Sequence, residues 1–530
     1  MTKLKYIAVL VILILPLQAA FGADVYEQLK KFNQVLGTAQ KNYVEDVDVD
    51  KLGEAAIIGM LKELDPHSVY ISAEKMKDVK EDFRGNFEGI GVQYSMIDDT
   101  LNIISALSGG PSQEVGIMAG DKIVKVDGES IIAADNSTIQ DKLRGPGGTK
   151  VVCTIKREGT ADLIDFEIIR DKIPLYSVDA SFLIDGTDIG YISVNRFMAT
   201  THIEMMDSLE VLSNKGMKKL ILDLRGNPGG YLSEAFKMAD EFIPGGHKIV
   251  YTKGRLPQFD NEYHSTDGGK YEKVPLIVLI DYGSASASEI VSGAVQDLDR
   301  GLVIGETSFG KGLVQNEYPL SDGSAFRLTI SRYYTPSGRC IQRPYDDKDA
   351  YVKMQDRLDL KEGDNLDHKL EELAAEGTDL PIHHTIGGRK VVGGGGIMPD
   401  YIVKYDTLTK LSIQIRMKNV FNSFAMNFLS KHGDEFKAKY EKDFKAFLRD
   451  FDIEGEYLEE FKELVKSKDI EWDEEQFNTD KEYLFRAAKS RIANAVWDNN
   501  EAAQVFLPVY PQIQKAIELF PAAEKFAKLN

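Results

Sequence analysis

The feature that most constrains the fold is a series of apolar strands, each ending at a turn that leads into a helical pattern. Residues 274–280 are apolar and rich in β-branched side chains, and they stop at the turn signal Asp281-Tyr282-Gly283. Apolar positions then recur at helical spacing from 290 to 298. Comparable strands are predicted at 189–194, 220–224 and 302–305. Strands separated by helices are typical of an α/β sheet.

Ser286 lies where the strand at 274–280 passes into this helix. A side chain on such a tight turn projects its Oγ outward, and the free N–H groups at the start of the helix can receive a developing oxyanion. Ser286 is therefore a candidate nucleophile. Three serines within five residues are also typical of a flexible loop, so the serines alone leave both interpretations open.

Lys311 is the candidate base, and it stands between Gly310 and Gly312. Most lysines are solvated, but a lysine that loses its hydration can accept a proton from serine as a neutral amine. Gln315 follows four residues later, and it would reach Lys311 only if the glycines bend the strand.

A second strand-to-helix turn lies upstream, after the strand at 220–224. Its sequence is Asn227-Pro228-Gly229-Gly230, and a helix is predicted to begin near Tyr231. Glycines at such a turn let backbone N–H groups approach a substrate closely.

Together these stretches resemble the core blocks of the carboxy-terminal processing peptidases, also called tail-specific proteases. The resemblance implies that Ser286 is the nucleophile and that Lys311, 25 residues later as in the family, is the general base. It implies a supporting role for Gln315. The matching blocks are DLRGNPGG at 223–230, SASASE at 284–289 and GETSFGKGLVQ at 305–315, with further matches at 65–70, 331–342 and 395–400.

The same resemblance implies an oxyanion hole formed by the N–H of Ala287 and the N–H of either Gly229 or Gly230. It implies no cofactor and no metal. Cys340 departs from the family pattern, because it occupies a position where a small polar residue is expected.

Residues 84–172 resemble a PDZ domain. Residues 87–94 are similar to the carboxylate-binding loop and its following strand, and 111–128 to the helix, Gly-Asp turn and strand that come next. The N–H groups of the loop can hold a terminal carboxylate, and a free strand edge can add a peptide strand. The predicted peptide-binding residues are Gly89, Ile90, Gly91, Val92 and Ile117.

Residues 1–22 have the pattern of a secretory signal: a basic start, an apolar centre at 7–17 and a small-residue cleavage site before Ala23. The prediction is an exported protein in the periplasm or cell envelope. The apolar centre is short for a membrane span, although an uncleaved segment would keep the protein near the membrane.

The remaining boundaries follow from changes in pattern. We expect a multidomain α/β protein with an N-terminal helical region at 23–83 and a peptidase core at 173–404, of the crotonase-like type by resemblance. The core is interrupted by a charged excursion at 346–384, predicted to be mostly helical and solvated. Residues 405–530 are predicted to be helical, and their role stays open.

Composition excludes some functions. The formal charge of −20 argues against a nucleic-acid partner. Cys153 and Cys340 fall in different predicted domains, so two isolated thiols are expected rather than a disulfide. His67 follows a proline at a helix end, and a structural role is expected for it.

The favoured function is a serine endopeptidase that binds protein or peptide substrates by their C-terminal tails. A penicillin-binding or β-lactamase-like enzyme would explain the Ser-x-x-Lys spacing of Ser72 and Lys75, but no Lys-Thr-Gly block accompanies it. The alternative from another class is a non-catalytic PDZ scaffold, which loss of Ser286, Lys311 or Gln315 would favour. Whether the protein is a homodimer is left open.

Overall fold

A computed structural model describes residues 25–97, 99–107, 109–118, 120–157, 159–348, 351 and 381–529. The predicted signal at 1–22 and most of the charged excursion lie outside these residues. The chain divides into two compact units. Among the described residues, one contains 25–76 together with 315–329, and the other contains the rest.

The N-terminal region is largely helical, with one short strand. Its elements are α1 (25–42), α2 Val49–Leu64, β1 Val69–Ile71 and α3 Ala73–Arg84. Helix α2 begins at Asp48, whose carboxylate accepts the N–H of Lys51 at 3.0 Å and so caps a free donor of the first turn. The prediction of helices at 23–83 missed the strand β1.

The PDZ-like domain is a five-stranded antiparallel sheet with a small added strand and two short helices. Its elements are β2 Asn86–Gly89, β3 Val92–Ile97, β4 Thr100–Ala106, α4 Pro111–Glu114, β5 Lys122–Val126, β6 Glu129–Ser130, α5 Asn136–Leu143, β7 Lys150–Lys156, β8 Ile164–Ile169 and β9 Asp171–Pro174. The order β3-β4-β5-β7-β8 leaves β3 at an edge. Cys153 is buried in this domain and Cys340 lies elsewhere, and both are free thiols as predicted.

The core region contains a central α/β sheet and further strands that pair outside it. Its elements are β10 Val178–Leu183, β11 Ile189–Val194, α6 Thr201–Asn214, β12 Lys219–Asp223, α7 Leu232–Asp240, β13 Lys248–Gly254, a 3-10 turn Pro257–Phe259, β14 Asn261–His264, β15 Leu276–Ile280, α8 Ala287–Asp297, β16 Leu302–Gly305, β17 Leu313–Pro319, β18 Ala325–Tyr334, β19 Ile382–His384, β20 Lys390–Val392 and β21 Tyr401–Ile402. In the central sheet the strand order is β10-β11-β12-β15-β16-β21. Neighbouring strands are parallel except for β10 and β11, which are antiparallel.

Strand β18 belongs to a second, antiparallel sheet. Within the first unit its beginning pairs with β1, where Val69 is opposite Arg327. Within the second unit its end pairs with β13, where Tyr251 is opposite Tyr334.

The central sheet is buried on both faces, which explains why its strands are continuously apolar. Because side chains alternate along a strand, Leu222 and Val278 point to one face and Ile221 and Ile277 to the other. The first pair packs in a cluster that includes residues of α6, α7 and α8.

The C-terminal region divides into two parts. Its elements are α9 Lys410–Met417, α10 Val420–Tyr440, α11 Phe444–Asp450, α12 Glu456–Ser467, α13 Glu474–Thr479, α14 Lys481–Val496, α15 Asn499–Phe506, a 3-10 turn Leu507–Val509 and α16 Pro511–Leu529. Helices α9–α14 enclose their own aromatic-rich core. Helix α16 instead packs Ile513 and Phe520 against the second face of the central sheet, beside Ile221 and Ile277.

No helix in the described part of the chain is long and apolar enough to span a membrane.

Because α16 completes the core, we predict that Phe520→Ala lowers the free energy of unfolding by about 3–5 kcal/mol. Phe520 is 1% exposed, so its loss leaves a cavity under the sheet. Denaturant unfolding of the purified protein measures the effect. Ile413→Ala is the control, since Ile413 is 45% exposed on α9. Equal unfolding free energies for the two variants would contradict this packing.

Candidate active site

The turn after β15 holds Ser286 in a strained conformation. Ser286 has φ 55° and ψ −108°, which a side-chain-bearing residue adopts only when its surroundings force it. Nearby, the Ser284 hydroxyl donates to the carbonyl of Leu224 at 2.8 Å and accepts the N–H of Asp281 at 2.9 Å. The turn is thereby bonded to the neighbouring strand end, and Ser286 is half-buried at the start of α8.

A buried carboxylate, Glu289, connects the serine turn to the lysine loop. One oxygen accepts the N–H of Ser286 at 2.7 Å and the N–H of Lys311 at 3.0 Å. The other accepts the Ser308 hydroxyl and the Gly310 N–H, both at 2.6 Å. Burial raises the pKa of Glu289 above its ordinary value, while these four hydrogen bonds act in the opposite direction.

In the loop that carries Lys311, only glycine fits at the positions on either side of the lysine. Gly310 has φ 88°, and a β-carbon on Gly312 would lie 2.8 Å from the backbone nitrogen of Gln342. The Phe309 N–H donates to the Ser284 carbonyl at 2.9 Å. Both glycines therefore let the loop pass close to the rest of the site, and the Lys311 residue is half-buried there.

The Asn-Pro-Gly-Gly turn is closed by Asn227. Its Oδ1 accepts the Gly229 N–H at 2.9 Å, and its Nδ2 donates to the Val194 carbonyl at 2.8 Å. Its own carbonyl accepts the Ala285 N–H at 3.0 Å. A β-carbon on Gly229 would lie 2.8 Å from that of Ser286, so glycine is required for the turn to approach the serine this closely.

Two backbone N–H groups, where the Asn-Pro-Gly-Gly turn meets the serine turn, donate no hydrogen bond among the described residues. Gly230 forms a bridge to Phe197 through the carbonyl of Gly229 and the N–H of Tyr231, which leaves its own N–H unused. Ala287 is the first residue of α8, where N–H groups lack an intrahelical acceptor. Among the described residues, neither N–H donates a hydrogen bond to another protein group.

Gln315 is on β17, in the first of the two units. Its side-chain amide donates to the carbonyl of His67, in the same unit. The role of Gln315 in orienting Lys311 stays a prediction.

The predicted peptide-binding residues lie around the start of β3. Gly91 has φ 71°, and the carbonyl of Ile90 accepts the Ser112 hydroxyl at 2.6 Å. Ile90 and Ile117 are each 3% exposed in the domain's core, whereas Val92 is half-buried. Their assignment to an open pocket stays a prediction.

Sequence reasoning assigned no role to Glu289, although it is part of the SASASE block. A glutamate three residues after a helix-capping position is a signal for contact with the cap residue. Its contacts with the loop at 308–311 had no sequence signal. No cluster of three or more His, Cys, Asp or Glu side chains able to hold a metal ion is present in the part of the chain that the structure describes.

The fold and the site together define a class of protein with an α/β hydrolytic core and a PDZ-like domain. In the core, a strained serine lies at a strand-to-helix turn beside a loop that carries a lysine. Profiles of known families match the chain in four places: peptidase family S41 at 188–352, a PDZ domain at 103–157, the N-terminal domain of the activating protease CtpB at 16–75, and a family of unknown function at 411–498.

Several characterised proteins are similar to this chain. A carboxy-terminal-processing protease of Bartonella bacilliformis is 40% identical over 323 residues, which cover 60% of this chain and 74% of that protein. Carboxy-terminal processing protease CtpB of Bacillus subtilis is 34% identical over 365 residues, 68% of this chain and 76% of that protein. The solved photosystem II D1 C-terminal processing protease is 27% identical, covering 57% and 82% of the two chains with a TM-score of 0.33.

This chain belongs to the carboxy-terminal processing proteases of peptidase family S41. The predicted enzyme class, a serine-type peptidase with a PDZ domain, is confirmed, as is the multidomain α/β fold with a helical C-terminal region.

We predict that Glu289→Gln lowers kcat/KM for an unfolded protein substrate by roughly 100-fold, the size of effect seen when one transition-state donor is lost. Glutamine keeps the shape of the side chain but replaces one of the two accepting oxygens with an NH2 group, which cannot accept the backbone N–H groups there. Glu262→Gln, on the exposed strand β14, is the matched control and should be neutral. Wild-type kcat/KM in Glu289→Gln would show that this carboxylate does not hold the site together.

Proposed function

We propose that the protein is an exported serine endopeptidase in which Ser286 and Lys311 form the catalytic dyad. The observation that carries the proposal is the shared carboxylate: Glu289 accepts the backbone N–H groups of both residues. The serine turn and the lysine loop are thus held by one side chain, although Lys311 comes 25 residues after Ser286. Such fixed geometry is what a nucleophile and its base require.

In the proposed reaction, the Ser286 Oγ attacks the scissile carbonyl and Lys311 takes the hydroxyl proton as a neutral amine. The resulting ammonium then protonates the leaving amine. Lys311 next activates the water that hydrolyses the acyl-enzyme, and the Ser286 hydroxyl is restored. Gln315 is proposed to support the lysine.

We assign the oxyanion hole to the N–H groups of Ala287 and Gly230. Both are unused by protein acceptors among the described residues, whereas the Gly229 N–H already donates to Asn227. The contribution of Gly229 is instead steric, because the absence of a side chain brings the turn against Ser286. Preorganised donors of this kind stabilise the developing negative charge.

Substrates are proposed to be proteins held by their C-terminal tails on the PDZ domain. Strand β3 lies at the edge of the sheet, where a peptide strand can add, and the glycine loop before it can bind the terminal carboxylate. Residues 1–22 support export to the periplasm or cell envelope. Export should yield a mature chain that begins at Ala23, and N-terminal sequencing of the protein from its native envelope tests this; an N-terminus at Met1 would contradict cleavage.

We predict that Ser286→Ala and Lys311→Ala each abolish cleavage of an unfolded protein, and that the double variant is no worse than either one. Residues that act as one unit have strongly non-additive effects. Fragment formation on a gel and thermal melting of each variant measure activity and folding separately.

Matched controls are Ser321→Ala and Lys273→Ala, both at exposed positions. Cleavage by Ser286→Ala would overturn the assignment of the nucleophile. A folded wild-type protein that binds C-terminal peptides without cutting them would favour the scaffold function instead.

We also predict that a substrate with a free C-terminal carboxylate is cleaved faster at subsaturating concentration than its C-terminal amide. A charge-assisted hydrogen bond contributes about 1.5–3 kcal/mol, or roughly ten- to a hundredfold in affinity. The two substrates differ in nothing else. Equal rates would exclude tail recognition by the PDZ domain and leave the proposed chemistry at Ser286 untouched.

A further inference from the structure

Two buried aspartates accept hydrogen bonds from the backbone of the two turns that carry the proposed catalytic groups. Asp281, at the end of β15, accepts the N–H groups of Gly226 and Gly283 on one oxygen, both at 2.8 Å. Asp223, the last residue of β12, accepts the backbone N–H of Arg225 at 3.0 Å. The backbone leading to the proposed oxyanion donor Gly230 therefore depends on how these carboxylates are held.

Arg225 is the cation beside them, and its side chain is only 6% exposed. Its Nε donates to Asp223 at 2.9 Å and one terminal nitrogen donates to the same carboxylate at 2.5 Å. The Tyr191 hydroxyl donates to Asp223 as well, at 2.7 Å. Because the Asp223 carboxylate binds both the side chain and the backbone N–H of Arg225, movement of the guanidinium is coupled directly to the turn.

Further contacts of this guanidinium come from later parts of the chain, including the Tyr405 ring at 5.8 Å. Its other terminal nitrogen donates to Gln512 Oε1 at 3.1 Å, and its centre lies 4.2 Å from the ring centroid of Tyr510. Gln512 is fully buried and is itself fixed, since its amide donates to the Val403 carbonyl at 3.2 Å. The Tyr405 hydroxyl similarly donates to Asp281 at 3.0 Å.

These C-terminal residues are outside the stretch that matches the peptidase family profile, which ends at 352. Gln512 nevertheless accepts a hydrogen bond from a buried guanidinium next to the proposed oxyanion turn, and the Tyr510 ring covers that guanidinium. A buried charged donor that loses its acceptor costs free energy. The guanidinium would therefore move toward another acceptor and displace the turn.

We propose that Gln512 and Tyr510 are positioning residues for peptide-bond hydrolysis: by holding Arg225, they fix the turn that presents the Gly230 N–H to the oxyanion. This rests on the proposed function, because it presumes catalysis at Ser286. The start of α16 is thus part of the catalytic apparatus as well as a cover for the sheet.

The test compares Gln512→Met with Gln514→Met in the full-length enzyme. Methionine has nearly the size of glutamine but offers the guanidinium no comparable acceptor, and Gln514 is an exposed glutamine on the same helix. A fluorophosphonate reagent that labels the reactive serine gives the number of competent sites in each preparation. Rates of cleavage of an unfolded protein are then expressed per labelled site.

We expect kcat per labelled site to fall at least tenfold, up to roughly 100-fold, in Gln512→Met, with KM unchanged and Gln514→Met like wild type. A purely structural weakening would instead lower the number of labelled sites and leave kcat per site unchanged. That outcome, or equal kcat in the two variants, would overturn the inference.

A second pair of variants covers the case in which Gln512→Met does not fold. Tyr510→Phe keeps the ring over Arg225 and should retain wild-type kcat, whereas Tyr510→Leu removes the ring and should lower kcat per site. Equal kcat in these two variants would also overturn the inference. If the wild-type enzyme shows no cleavage that depends on Ser286, the proposed function fails, which these measurements distinguish from failure of the positioning role.

Discussion

The proposed active site depends on one buried carboxylate. Glu289 lies in the first turn of α8, where it accepts four hydrogen bonds from the serine turn and the lysine loop. Removing a carboxylate from water is expensive, and only a full set of donors offsets that cost. Because the carboxylate needs these donors, it also holds them in place. The backbone conformations at Ser286 and at Lys311 therefore both depend on Glu289. The strained φ of Ser286 persists because this network leaves the residue no alternative.

Around this group the protein uses ordinary α/β architecture to bring three turns together. Parallel strands β12, β15 and β16 end at the same edge of the sheet, so the turns that follow them converge. Asn227 bonds the first turn to the second, and Glu289 bonds the second to the loop after β16. The proposed catalytic site is therefore assembled from groups on three separate turns rather than from one contiguous motif.

The C-terminal region has two physically different roles. Helices α9–α14 enclose an independent aromatic core, whereas α16 covers the second face of the central sheet and reaches Arg225. A sheet whose strands are apolar on both faces cannot leave one face open to water. The helix that covers it comes from near the end of the chain, and this brings Gln512 into contact with Arg225, just before the turn at 227–230.

The sequence alone determined the local order of the site. Apolar runs, turn residues and helical spacing located β12, β15, β16 and α8, and the three blocks singled out the positions of Ser286 and Lys311. It also distinguished the PDZ-like domain from the core. Each strand, helix and turn among these features is encoded within about a dozen neighbouring residues, where periodicity and turn chemistry are informative.

Only the tertiary structure decided which distant groups meet. It showed that Glu289 bonds the loop at 308–311, that the Gly229 N–H is occupied while that of Gly230 is open, and that Gln512 reaches Arg225 across 287 residues of chain. It also showed that the end of the chain covers the sheet. The pattern of a strand or helix reveals which face is apolar, but not which partner covers that face. Likewise, a buried polar residue does not reveal in the sequence the group that will satisfy it, because that partner is selected by packing.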